Sequence, residues 1–97
     1  MISSKDYLIN NAEVIQETNE YALNKKKALE YIDLLKREKK FILGGDVYEK
    51  KDNTFFPIYD SWYLQLNDGT YLDSFEKAKK FISKYLRDDI YFVIVVN

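Results

Sequence analysis

The sequence predicts an α+β fold: a small, mostly antiparallel sheet packed by two or three helices. Three observations carry that expectation. Residues 25–38 and 74–86 repeat apolar side chains at helical spacing. Ile90 to Val96 is an unbroken apolar run without polar alternation, as in a central strand buried on both faces. Between them, strand-like stretches are punctuated by the turn clusters Lys50-Lys51-Asp52-Asn53 and Asn67-Asp68-Gly69.

The first expected helix covers residues 7–18, with Leu8, Ala12 and Ile15 on one side and the weak helix formers Asn10 and Asn11 within it. Glu20 to Leu23 reads as a short strand or a connector. Asn24 suits the N-cap of the stronger helix, 25–38, where Ala28, Ile32 and Leu35 recur and Leu29 and Leu34 widen the stripe. Lys36, Arg37, Lys39 and Lys40 crowd its C-terminal end, where cations complement the helix dipole. Phe41-Ile42-Leu43 begins a strand that Gly44-Gly45 interrupts and Val47-Tyr48 continues. A second strand is expected over Ile58 to Leu66, with Pro57 at its start, where a missing donor costs little. The Asp68-Gly69 pair signals a hairpin turn into a short third strand, Thr70 to Leu72. Asp73 is expected to cap the last helix, 74–86, with Glu76 completing a capping box, and Phe75, Ala78, Ile82 and Tyr85 share its apolar face.

The 97 residues fit one domain, 1–97, with no internal repeat or linker. The chain has no cysteine and no histidine. Disulfides and thiolate metal sites are therefore excluded, as are mechanisms built on Ser-His-Asp or Cys-His. No cofactor or metal is expected. The first residues show no charged leader followed by an apolar run, and Tyr91 to Val96 is too short to cross a bilayer, so a soluble, cytoplasmic protein without a membrane partner is expected. Net charge is −1, yet residues 24–40 carry seven basic and three acidic side chains while residues 41–73 carry two and six. That contrast predicts one acidic and one basic face. The lysines at 25–27 and 36–40 invite a nucleic-acid reading. The negative net charge and the absence of a recognition signature favour a solvated helix face, and no nucleic-acid partner is expected.

Two strings hold the remaining information, Gly44-Gly45-Asp46-Val47-Tyr48 and Tyr59-Asp60-Ser61-Trp62-Tyr63. Adjacent glycines in a strand mark a bulge or tight bend, or a place where a partner side chain or Trp62 approaches bare backbone. They are no phosphate cradle, because no Walker lysine follows and no helix begins there. Strand alternation places Tyr59, Ser61 and Tyr63 on one side and Asp60 and Trp62 on the other. Trp62 reads as a core anchor, and Asp60 then belongs at the rim or accepts hydrogen bonds. Nine tyrosines and six phenylalanines exceed what a core of this size can bury, so several tyrosines should reach the surface, where they favour interfaces.

In this order and spacing, the two strings, with the helix before them and the helix and β-rich end after them, resemble the immunity protein 40 family of bacterial polymorphic toxin systems over roughly residues 20–96. Ser61 stands where that family commonly carries Asn. The resemblance implies a non-enzymatic protein that binds a cognate toxin domain and occludes its active or substrate-binding surface. An acidic face would steer association with a basic toxin domain. Asp46, Tyr48, Asp60 and Tyr63 are the expected toxin contacts, with Glu49, Tyr59 and Tyr71 as further candidates, and Gly44, Gly45 and Trp62 as fold-defining. Two other readings remain open at the level of sequence. One is a small carboxylate enzyme built, for instance, on Asp46 and Asp60. The other is a tyrosine-rich homo-oligomerising module.

Overall fold

Local capping fixes where the helices begin. In the computed structural model, which describes residues 2–97, α1 spans Ser4–Asn11, α2 Lys25–Arg37 and α3 Tyr71–Ser83. The Asn24 side chain accepts from the Lys27 amide at 2.9 Å, satisfying one free donor of α2 as expected. Helix α3 starts three residues before its expected first residue, 74, because Thr70 is the N-cap in place of Asp73. The Thr70 hydroxyl accepts from the Asp73 amide at 3.3 Å, and the Asp73 carboxylate accepts from the Thr70 amide at 2.8 Å. The capping box is therefore Thr70–Asp73, and the expected third strand at Thr70 to Leu72 is absent.

The expected first helix is also corrected. Helix α1 ends at Asn11, and Glu13–Ile15 forms β1, paired antiparallel with β2 (Glu20–Asn24). Of the proposed apolar stripe Leu8 alone is helical and Ala12 is the C-cap: Ile15 is buried against the sheet, apart from the helix-side core that receives Leu8 and Ala12. Helix α1 is tied to the end of α2 by Ser4, whose amide and hydroxyl both donate to Glu38, at 2.7 and 2.6 Å. Tyr7 adds a hydrogen bond to Glu30 and a stacked contact with Tyr31.

The remaining strands are β3 (Ile42–Lys51), β4 (Thr54–Tyr63) and β5 (Ile90–Val96). Strands β3 and β4 form a hairpin whose two turn residues, Asp52 and Asn53, take φ of 50° and 66°, the left-handed pair that a tight turn of matching twist requires. The second strand thus begins four residues before its expected start at Ile58, and Pro57 lies inside it. Because β4 is a sheet edge, the missing proline donor still costs little. The sheet order is β1-β2-β5-β3-β4 with every neighbouring pair antiparallel, so β5 is central, as its composition predicts. Helix α2 crosses from β2 to β3 and α3 from β4 to β5, each spanning one intervening antiparallel strand.

All three helices pack on one face of the sheet. The core there joins Ala28, Ile32 and Leu35 of α2, Phe75, Ala78 and Ile82 of α3, and Val47, Trp62 and Phe92 of the strands. Ser74, fully buried in α3, accepts from the Ile42 amide at 3.0 Å and donates to the Tyr71 carbonyl at 2.8 Å, docking the helix on the edge of β3. The other face holds a cluster made of strand residues alone: Ile15, Ala22 and Val93, flanked by Tyr48, Phe55 and Tyr91. Phe92 and Val93 are buried on opposite faces of β5, yet among the described residues no helix covers the second face.

Candidate functional site

Backbone geometry in β3 and β4 determines what that uncovered face displays. Gly44 and Gly45 pair with Tyr63 and Trp62. A Cβ on Gly45 would stand 2.5 Å from Trp62 Cη2, and one on Gly44, where φ is 154°, would stand 2.0 Å from the Trp62 carbonyl oxygen. Bare backbone at Gly45 makes room for the indole, and at Gly44 for the close approach of the β4 backbone. Trp62 is 5% exposed and packs on Phe81 with ring centroids 4.5 Å apart. Its Nε1 has no hydrogen-bond partner among the described residues.

With Trp62 turned to the helices, its neighbours Ser61 and Tyr63 face the other way, where Asp46 lies opposite Ser61 and Tyr48 is paired with Tyr91 across β5. The Tyr63 hydroxyl donates to Asp46 at 3.2 Å, and the Tyr48 hydroxyl points to Glu20 of β2 at 3.4 Å. The negative charge of Asp46 raises the Tyr63 hydroxyl above its ordinary range. Burial, then Glu20 and Asp46, do the same for Tyr48. Farther along, Lys50 pairs with Glu13 and lies 5.6 Å from the centre of the Tyr91 ring. The face is thus a row of tyrosines on a small apolar floor, edged by the acids Glu13, Glu20 and Asp46.

Register is broken once in the hairpin. Asp46 pairs with Ser61 and Tyr48 with Pro57, so Ile58, Tyr59 and Asp60 all lie opposite the single residue Val47. This bulge turns Tyr59 out at φ 58° and leaves it 93% exposed. Asp60 lies toward the helical side, at the rim. Its carboxylate accepts from the Tyr85 hydroxyl and sits 3.4 Å from Lys84 Nζ. The Tyr85 hydrogen bond holds the Asp60 carboxyl below the ordinary carboxylate range. Asp46, Tyr48, Pro57, Tyr59, Asp60 and Ser61 line one open depression over Val47.

Of the sequence-predicted contacts, then, Asp46, Tyr48 and Tyr63 share the uncovered face, and Tyr59 and Asp60 border it at the bulge. Glu49 does not join them. It alternates to the helix side, where Arg87 donates to it and Lys51 sits 3.4 Å away. Tyr71 also lies apart, half-buried in the first turn of α3. Sequence reasoning missed Glu20, Tyr91 and Phe55. Glu20 and Tyr91 join the face because β5 lies between β2 and β3, which no local signal announces, and Phe55 joins through the hairpin register, opposite Lys50. Of the nine tyrosines only Tyr31 is buried, as the ring count implies.

Asp46 and Asp60 do line the same depression, the arrangement a carboxylate enzyme would need. Within such a pair the lowered Asp60 carboxyl suits the ionised partner and not the general acid. Among the described residues no three Asp or Glu side chains gather as metal ligands would, and no helix is long and apolar enough to cross a membrane.

The family model described as Immunity protein 40 matches residues 9–96, nearly the whole chain. The chain belongs to the immunity protein 40 family. The match extends the resemblance seen in residues 20–96 toward the N-terminus, taking in the end of α1 and all of β1. Strand β1 contributes Ile15 and Glu13 to the uncovered sheet face, so the family region includes the complete five-stranded sheet. No curated protein and no solved structure matches the chain.

Proposed function

We propose that this immunity-family protein neutralises a bacterial toxin domain by binding it in the cytoplasm with the helix-free face of its sheet. The observation that carries the reading is the convergence of Asp46, Tyr48 and Tyr63, with Glu20, on a face that no helix covers. Tyrosine supplies large contact area with few rotors and a polar tip, and here each hydroxyl is already oriented by an acid, so little freedom is lost on binding. Glu13 is paired with Lys50, so Glu20 and Asp46 give the face the negative charge that steers a basic partner into register. Inhibition is steric and electrostatic: the face covers the toxin's active or substrate-binding surface. No group of the immunity protein has to react.

The experiment is capture of the toxin domain encoded in the adjacent reading frame, followed by titration with Asp46→Lys. Asp46 is partly exposed and, among the described residues, its only side-chain hydrogen bond is the one from Tyr63, so the substitution is expected to leave the fold intact. Charge reversal at a central contact is expected to weaken binding at least about 30-fold. Failure to capture the toxin domain, or unchanged affinity of the variant, contradicts the proposal.

A further inference from the structure

We propose that Tyr59 is an anchor, held out by the β4 bulge to enter a cleft of the toxin domain bordered by lysine or arginine side chains. This inference rests on the toxin-binding reading above. Its starting point is a backbone conformation that the side chain does not favour. Among the described residues, the non-glycine residues at positive φ are Asn19, Lys39, Asp52, Asn53 and Tyr59. Asn19, Asp52 and Asn53 are types that tolerate the left-handed region because their short side chains bond local backbone. Lys39 follows the end of α2, where a left-handed residue closes the helix. Tyr59 has neither reason. A bulky side chain in this region is an outlier, and such strain persists where the surroundings impose it, commonly at binding sites.

Nothing within the chain rewards the choice. At 93% exposure the Tyr59 ring packs on no core and stabilises no neighbour. A bulge and a proline on an edge strand do guard against pairing with another sheet, and Pro57 with the register break serves that purpose. That purpose needs the bulge alone. Asparagine or glycine at position 59 would make it with less strain, so edge protection does not account for a tyrosine.

The chemistry around the ring defines the partner. Asp46 lines the same depression and, among the described residues, forms no ion pair, its hydrogen bond coming from the neutral Tyr63 hydroxyl. Asp60, beside Tyr59, is paired with Lys84. A projecting aromatic ring flanked by an uncompensated carboxylate complements a concave surface with cations at its mouth. Guanidinium or ammonium groups there can pair with Asp46 and lie on the tyrosine face.

The test uses the full chain and the toxin domain of the adjacent reading frame as probe, with Tyr59→Asn. Asparagine keeps the left-handed backbone and adds no glycine flexibility. Dissociation constants come from calorimetric or surface titration, and the thermal midpoint of the free protein is measured in parallel. Expected are binding at least about 30-fold weaker, carried by faster dissociation, and a midpoint unchanged or raised by a few degrees. Binding within about threefold of the parent overturns the anchor while leaving the toxin-binding reading standing. A fall in midpoint together with affinity also overturns it, because Tyr59 would then serve the fold. If the parent chain forms no complex, both this inference and the reading beneath it fail.

Discussion

Replacing Gly45 with alanine should be among the most damaging single-methyl changes in this protein, and the reason is one contact. The added Cβ would lie 2.5 Å from Trp62 Cη2, 2.6 Å from Cζ3 and 2.8 Å from the Val93 carbonyl oxygen. Ordinary carbon–carbon contact is about 3.5–4 Å, so the ring must withdraw by about 1 Å. It has little room to do so, since its far side is packed on Phe81 at a centroid distance of 4.5 Å. Overpacking of a filled core costs about 1–3 kcal/mol, and the added backbone contact places this case near the upper end, about 2–3 kcal/mol. For a domain of this size that lowers the thermal midpoint by about 10–20 °C. The assay is thermal and urea denaturation followed by far-ultraviolet circular dichroism for the parent, Gly45→Ala, Trp62→Leu and the double variant. Removing the indole removes the two closest of these contacts, so the cost of the alanine should drop by at least about 1 kcal/mol in the Trp62→Leu background. A midpoint for Gly45→Ala within about 2 °C of the parent, or the same cost in both backgrounds, refutes the reasoning.

Two further predictions concern the rest of the fold. Thr70→Ala should destabilise the protein by about 1 kcal/mol in urea titration, because Thr70 caps α3, whereas a helix capped by Asp73 would leave that change near neutral. The carboxyls of Glu13, Asp60 and Asp89 lie below their ordinary range, held first by hydrogen bonds from Lys50, Tyr85 and Arg87 respectively. Groups with a folded pKa below the unfolded one add stability above the unfolded value and lose it as pH falls through the folded one. The thermal midpoint should therefore hold near neutrality and decline below about pH 5, and a midpoint flat from pH 7 to pH 3 would show that these contacts add nothing.

The parts of the fold written in local pattern were legible. Helix α2 carries its cap at Asn24 and its stripe in Ala28, Ile32 and Leu35, and β5 declares itself by its unbroken apolar run. Helix α3 was placed but started late, because Asp73 is plausible both as an N-cap and as the third residue of a capping box begun by Thr70. Strand β1 is three residues long and exists through its pairing with β2, so the apolar spacing through Ile15 could be mistaken for helix. The same division runs through the site. Alternation around Trp62 put Tyr63 on the side away from the indole, whereas the placing of Asp46 and Tyr48 on that same side follows from the pairing of β3 with β4 and β5. The outward turn of Tyr59 was not legible, since a register break between paired strands leaves no mark in either strand alone. Glu20 and Tyr91 joined the face only once the strand order was known.

The most direct test of the central claim is the footprint of the toxin domain on this protein, read by amide hydrogen exchange and side-chain shift perturbation in the complex. The account predicts protection and perturbation centred on Asp46, Tyr48, Tyr63 and the Tyr59 bulge, with the outer faces of α2 and α3 unchanged. A footprint on those helices that leaves the tyrosine face exposed to solvent would contradict it.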